Sequence, residues 1–169
     1  VGTFSSGWDK ERAADEKAWS YKPLERLKKH YEEGGFDLAV LESRPPMDKI
    51  KLSLPGRDEQ IEVVCELIRN MGKLRIPVWC YEWMPVINWS RTSTDIVSRG
   101  GALVTGFDYA DPRNQEPTQY GTVTEDQLWA SLKYFLDRVI PVAEKANVKL
   151  AMHPDDPPLP ELLGKPRIM

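Results

Sequence analysis

The sequence predicts an α/β fold, and more specifically about four βα units of a parallel (β/α)8 TIM barrel. Short apolar runs alternate with segments of helical periodicity, a pattern that is typical of βαβ units. Polar residues close three successive strands, at Glu42, Glu82 and His153, and barrel enzymes carry their active sites at that end. A doubly wound sheet also fits the alternation, and these polar strand ends favour the barrel. Since the chain has 169 residues and a barrel needs about 250, we expect a fragment that forms one incomplete barrel domain.

Four apolar runs are the predicted strands. They cover residues 2–5, 36–41, 77–84 and 148–152. The first is weak and lies at the start of the chain. The third, PVWCYEWM, is rich in the aromatic and β-branched residues that favour strands, and the fourth leads directly to His153.

Helical patterns separate the predicted strands. Residues 21–33 and 57–74 carry apolar side chains at helical spacing, and a third helix opens at Thr124 with Gln127 completing a capping box. We expect Pro141 to kink or end the regular part of this helix near Asp137, because proline cannot donate the backbone hydrogen bond. Residues 85–121 are predicted to form one long loop with few regular signals.

The composition indicates which kinds of partner the protein can have and in which compartment it acts. Hydrophobic residues make up 41% and charged residues 29% of the chain, as in soluble globular proteins. The net charge of −3 argues against nucleic acid or an anionic membrane as a partner, and no apolar run is long enough for a transmembrane helix. Cys65 and Cys80 lie inside apolar segments, so we expect reduced core thiols in a cytoplasmic protein without a signal peptide.

His153 is the first candidate for chemistry. It closes a strand and is followed by Pro154, which stiffens the path of the chain. Such a placement suits a ligand of a divalent metal, because the imidazole must be neutral and aimed. The alternative is a structural histidine whose ring nitrogens bond the loop backbone.

Glu42 and Glu82 are the next candidates. Side chains alternate along a strand, so both carboxylates can meet His153 at the mouth of the barrel. A carboxylate in that position can bind metal or carry a proton. The alternative is a salt bridge to a nearby arginine, with three candidates in the sequence: Arg44, Arg57 and Arg91.

The loop after the third strand offers substrate contacts. Arg91 can pair bidentately with a substrate carboxylate, while Trp89 covers the site. The alternative is an arginine that braces the loop beside a packing tryptophan.

Several phrases resemble one enzyme family in order and spacing. They are LES at 41–43, IKLSLPGRD at 50–58, CY at 80–81, MPV at 84–86, WSRT at 89–92, AMHPDDPP at 151–158 and GKPRI at 164–168. The string HPDDPP is the most specific of them, and the resemblance is thin before residue 36. With these phrases the sequence resembles the mannonate dehydratases of hexuronate breakdown.

The resemblance implies a (β/α)8 barrel enzyme that uses Mn²⁺ or Fe²⁺ to dehydrate D-mannonate to 2-keto-3-deoxy-D-gluconate. It implies that His153 is a metal ligand, while the family's other ligands (a cysteine, a histidine and an aspartate) and its catalytic histidine and tyrosine lie beyond Met169. The first barrel strand would precede Val1. We expect a small sugar acid as the partner, bound by Arg91, Trp89, Glu82 and Glu42, and a homo-oligomer for the full-length protein.

One departure from the family pattern concerns Glu82, where the family usually has asparagine. An added negative charge there weakens binding of a carboxylate substrate unless Glu82 is protonated or paired. Three alternatives stay open. The protein is a paralogue acting on another sugar acid, a xylose-isomerase-like metal-dependent isomerase or epimerase, or a non-catalytic sugar-acid-binding relic.

Overall fold

The computed structural model describes residues 1–4, 9–114 and 118–169. Within these residues, four helices and seven strands follow each other, with single 3-10 turns at Arg99–Gly101 and Pro112–Asn114. In order they are α1 (Tyr21–Glu33), β1 (Val40–Glu42), α2 (Asp48–Lys51), α3 (Arg57–Leu74), β2 (Val78–Glu82), β3 (Ser93–Val97), β4 (Leu103–Gly106), α4 (Glu125–Ala146), β5 (Lys149–His153), β6 (Glu161–Leu162) and β7 (Lys165–Pro166).

A parallel sheet in the order β1-β2-β5 positions the candidate site. Strand β2 pairs with β1 so that Cys80 lies opposite Glu42, and with β5 so that Glu82 lies opposite His153. On the far side of β1, Gly2 forms a parallel bridge to Leu41. The α/β class and the parallel sheet are therefore confirmed, with neighbouring strands in chain order.

The two faces of this sheet differ. Leu41, Trp79 and Tyr81 point towards the helices and are buried. Cys80 stands between Trp79 and Tyr81 in the sequence, so its side chain points to the other face, and it is only half-buried. The prediction that Cys80 is a core thiol is thus wrong in position, whereas Cys65 on α3 is buried as predicted. The helices cover one face, and polar side chains collect on the other.

Helices α3 and α4 pack closely over the covered face. A side chain at Gly72 would place its Cβ 2.6 Å from the carbonyl oxygen of Ala146, so only glycine permits this approach. Phe135 on α4 is fully buried and its ring lies 5.1 Å from that of Trp83. This packing holds the helices against one face of the sheet and leaves the carboxyl ends of the strands open on the other.

The second and third predicted strands are shorter in the structure, where β1 covers Val40–Glu42 and β2 covers Val78–Glu82. Residues 36–39 precede β1 without strand pairing, because Ala39 donates to the Asp37 carbonyl in a local turn. At the chain start, Gly2 exchanges two backbone bonds with Val40 and Glu42, and Ser5 of the predicted first strand lies outside the described residues. The last strand begins one residue later than the predicted run and ends at His153, the residue predicted to close it.

Two further expectations are corrected. Helix α4 does not end near Asp137 but continues through Pro141 to Ala146, because Val139 and Ala143 on either side of the proline are buried and hold both halves against the core. The predicted loop at residues 85–121 contains an antiparallel hairpin, β3–β4, in which Ile96 pairs with Val104. None of the helices in the described ranges combines the length and the apolar character needed to span a membrane.

Candidate active site

A cavity of about 650 Å³ opens at the carboxyl ends of the parallel strands. Its size is ordinary for a small-molecule site. Residues from the chain start, from the three strand ends and from the loop after β2 line it: Thr3, Phe4, Glu42, Ser43, Arg44, Cys80, Tyr81, Glu82, Asn88, Trp89 and His153. Four of the five residues selected from the sequence therefore meet at one cavity, Arg91 being the exception.

His153 is held by its own loop. Its Nδ1 lies 2.6 Å from the carbonyl oxygen of Pro154. Because a carbonyl oxygen only accepts, this bond places a hydrogen on Nδ1, so that Nε2 is the nitrogen with a lone pair whenever the ring is neutral. The ring also meets the edge of Trp89, with centroids 5.6 Å apart and planes at 86°. The loop and Trp89 thus hold the imidazole in one orientation.

Glu82 is buried in a cluster of charges. Its Oε1 accepts from Lys51 at 2.6 Å and from the Nε of Arg44, and its Oε2 accepts from the Met84 backbone at 2.5 Å. Burial alone would raise the pKa of Glu82, but the charges of Lys51 and Arg44 outweigh it and hold the pKa below its ordinary value. The carboxylate is therefore ionised and paired, which is the condition under which its charge does not repel an anionic substrate.

Lys51 is completely buried on the far side of this carboxylate. Burial lowers its pKa to about 8; the charge of Glu82 opposes the shift and that of Arg44 adds to it. Two cations thus share the carboxylate of Glu82 next to the cavity.

Glu42 lies beside Cys80 at the end of β1, and both line the cavity. Burial raises the pKa of the Cys80 thiol, and the charge of Glu42 raises it further. The thiol is therefore protonated at neutral pH, which does not suit it as a metal ligand or a nucleophile.

Arg91 is engaged outside the cavity. Its Nη1 and Nη2 donate to the two carboxylate oxygens of Asp156 at 2.9 and 2.6 Å, and its Nε donates to Thr105 at 3.1 Å. The hydrogen bonds from Arg91 lower the pKa of Asp156, as does the nearby His153. This pair ties the hairpin to the loop after β5, as the loop-bracing alternative anticipated.

The sequence reasoning missed two residues of the site and misjudged a third. Asn88 and the buried Lys51 were not selected, and Arg44 was considered only as a salt-bridge partner. Arg44 follows a strand end by two residues, a signal that could have marked it. The burial of Lys51 depends on how α2 packs, which no local pattern reveals.

The chain offers a metal one well-placed ligand. Within residues 1–4, 9–114 and 118–169, no three His, Cys, Asp or Glu side chains are grouped so that they could hold a metal ion. The Nδ1–H tautomer of His153 nevertheless fits a ligand bound through Nε2. The remaining ligands would have to come from another part of the protein.

Comparison with known proteins identifies the family. The family model described as D-mannonate dehydratase (UxuA) matches residues 8–120 and 111–169. Mannonate dehydratase from Streptococcus pneumoniae (strain 70585) is 35% identical over 176 residues, which is 90% of this chain and 48% of the relative. The corresponding protein from Shouchella clausii (strain KSM-K16) is 34% identical over 181 residues, with 89% and 50% covered.

A solved structure agrees with these sequence matches. The crystal structure of mannonate dehydratase from Streptococcus suis serotype2 superposes with a TM-score of 0.79 and 39% identity, covering 91% of this chain and 46% of that one. The chain thus spans about half the length of the relatives it matches. It belongs to the D-mannonate dehydratase (UxuA) family.

Proposed function

We propose that the protein containing this chain is a hydro-lyase that removes water from D-mannonate to give 2-keto-3-deoxy-D-gluconate, and that it acts in the cytoplasm. Family membership and the strand-end cavity with its oriented imidazole support the reaction. The free thiols of Cys65 and Cys80 support a reducing compartment.

We further propose that the sheet is part of a (β/α)8 barrel. Its parallel strands lie side by side in chain order, as they do around a barrel, whereas a doubly wound sheet reverses direction at a switch point. The face away from the helices bears the polar groups, which corresponds to a barrel interior open at the strand ends.

The single observation that carries the proposal is the placement of His153. Its ring lines the cavity with Nδ1 held by Pro154, so that Nε2 can bind Mn²⁺ or Fe²⁺. When bound, such a cation supplies Lewis-acid stabilisation of the negative charge that develops as the proton next to the carboxylate is removed. Trp89 contacts the imidazole from the side and limits how it can turn.

The isomerase alternative needs more carboxylate ligands than this cavity offers. It would use Glu42 and Glu82 together, but both oxygens of Glu82 already accept hydrogen bonds from within the protein. Glu42 lines the cavity and is the carboxylate that we propose faces the substrate's hydroxyl groups.

The proposal is tested by replacing His153 in the intact protein. We expect His153→Ala to lose bound metal and the metal-dependent formation of keto acid from D-mannonate, whereas His30→Ala on α1 retains both. Metal content by elemental analysis and keto acid by a colorimetric assay give the two readouts. Normal metal and turnover in His153→Ala would remove this residue from the site. Ketose formation from aldoses would indicate an isomerase, and sugar-acid binding without turnover would indicate a relic.

A further inference from the structure

Arg44 presents its guanidinium to the cavity from a rigid frame. The side chain lies at the end of β1 and is 14% exposed. Its Nε donates to Glu82, its Nη2 to Asn88 Oδ1 at 2.7 Å and its Nη1 to the Pro45 carbonyl at 3.2 Å. Three anchors on different segments therefore fix the plane of the guanidinium before any ligand arrives.

This frame leaves donors for a ligand. A guanidinium has five N–H groups, and the bonds to Glu82, Asn88 and Pro45 use one on each nitrogen. Within the described residues, one hydrogen on Nη1 and one on Nη2 have no acceptor. Free guanidinium donors can pair with a carboxylate, and a preorganised arginine loses little freedom on binding it.

The charge of the cluster also favours an anion. Lys51 and Arg44 both pair with the single carboxylate of Glu82, so cations outnumber carboxylates among these three residues, although Asp48 and Asp155 also act on Lys51 and offset part of this charge. Lys51 is completely buried, which makes Arg44 the member of the pair that a ligand in the cavity can touch. Its partner Glu82 lies opposite His153 in the strand register, so an anion bound by Arg44 is held next to the imidazole.

Arg91 does not compete for this role. Both of its terminal nitrogens bind Asp156, and its charge is neutralised there. We infer that Arg44 binds the carboxylate of the sugar acid, and that Glu82 and Asn88 are positioning residues that hold its guanidinium. This inference rests on the proposed function for the class of ligand. The inference also explains why a carboxylate stands at position 82. Glu82 would repel an anionic substrate on its own, but it orients Arg44, which attracts that substrate.

Binding of an acid and its neutral analogue tests the inference. In the intact protein with Mn²⁺, isothermal titration compares D-mannonate with D-mannitol, which has a hydroxymethyl group in place of the carboxylate. The loss of charge-assisted hydrogen bonds in Arg44→Met should weaken D-mannonate binding about 10- to 100-fold. Binding of D-mannitol should stay unchanged. Arg44→Gln, which still donates an amide hydrogen to Glu82, should show the same selective loss and keeps the test valid if Arg44→Met folds poorly.

Controls separate this inference from the proposed function. Arg138→Met removes a guanidinium that stacks on Tyr134 on the outer surface, and it should bind both ligands as the unaltered protein does. Equal D-mannonate affinity in the Arg44 variants, or a loss that appears only in Arg91→Met, overturns the inference. Selective loss of acid binding without keto acid formation in the unaltered protein would support Arg44 while refuting the dehydratase. Failure of the unaltered protein to bind any sugar acid would overturn both.

Discussion

Replacing Lys51 with methionine tests whether the buried charge cluster stabilises the strand ends. Methionine keeps the length and apolar stem of lysine but removes the cation that donates to Glu82 and to the Met84 carbonyl. Removing one partner of a buried ion pair costs about 3–5 kcal/mol, because the other charge stays buried without compensation. Arg44 still faces Glu82, so we expect Lys51→Met to lower the free energy of unfolding by about 3 kcal/mol, the low end of this range.

Denaturant unfolding of the intact protein measures this loss. Trp79 and Trp83 are fully buried, so their fluorescence reports on this part of the sheet. The matched control is Lys133→Met, which removes an exposed pair to Asp137 one helical turn away and should cost about 0.5 kcal/mol or less.

A double-mutant cycle isolates the coupling. Lys51→Met combined with Glu82→Gln removes both buried charges that face each other, so the pair should cost less than the sum of the single changes by about 1–3 kcal/mol. Additive single costs, or a Lys51→Met variant within about 0.5 kcal/mol of the unaltered protein, would refute the reasoning that this cluster is electrostatically coupled.

Three further outcomes follow from contacts elsewhere in the chain. Thr124→Ala removes the side chain that accepts from the Gln127 backbone and should lower stability by about 1 kcal/mol in the same unfolding assay, whereas Thr124→Ser should not. Phe135→Ala leaves a cavity among buried aromatic rings and should cost about 3–5 kcal/mol; a thermal midpoint equal to that of the unaltered protein would contradict the packing described. The pKa of Glu82 is held below its usual 4.5, so the stabilisation by its charge is present above that pH and is lost as the pH falls through the lowered pKa. The free energy of unfolding of Glu82→Gln should therefore depend less steeply on pH between pH 5 and 2 than that of the unaltered protein. An unchanged slope would contradict the lowered pKa.

Local signals predicted the helices well because their ends are determined locally. The observed bounds of α1 and α3 are those that the sequence predicts, and α4 begins at the Thr124 capping box. Pro141 was misjudged because the burial of its helical neighbours outweighs a lost backbone bond, and burial is a tertiary property. The β3–β4 hairpin was missed because Ile96, Val97, Leu103 and Val104 are exposed on both of its faces, so no alternation marks a buried side.

Position in the site could be predicted, but pairing could not. Alternation and strand ends placed Glu42, Glu82 and His153 at one cavity, since side-chain direction along a strand has a fixed period. The pairing of Glu82 depends on α2, because Lys51 at the end of this helix donates to its carboxylate. The local sequence predicts that Arg91 binds a substrate carboxylate. In the structure its guanidinium instead donates to Asp156, which lies 65 residues away in the sequence.

The hydrogen bond between His153 and Pro154 does not by itself separate the structural reading of this residue from the metal-binding one. Both readings predict that a ring nitrogen bonds the loop backbone. They differ in what the other nitrogen meets. A structural histidine would be enclosed by protein, whereas this ring borders a cavity of about 650 Å³ with Trp89 against its edge. Both oxygens of the nearby Glu82 accept hydrogen bonds within its own cluster, so Glu82 does not occupy the second ring nitrogen of His153. The geometry therefore supports the proposal that Nε2 is the ring nitrogen that binds the metal.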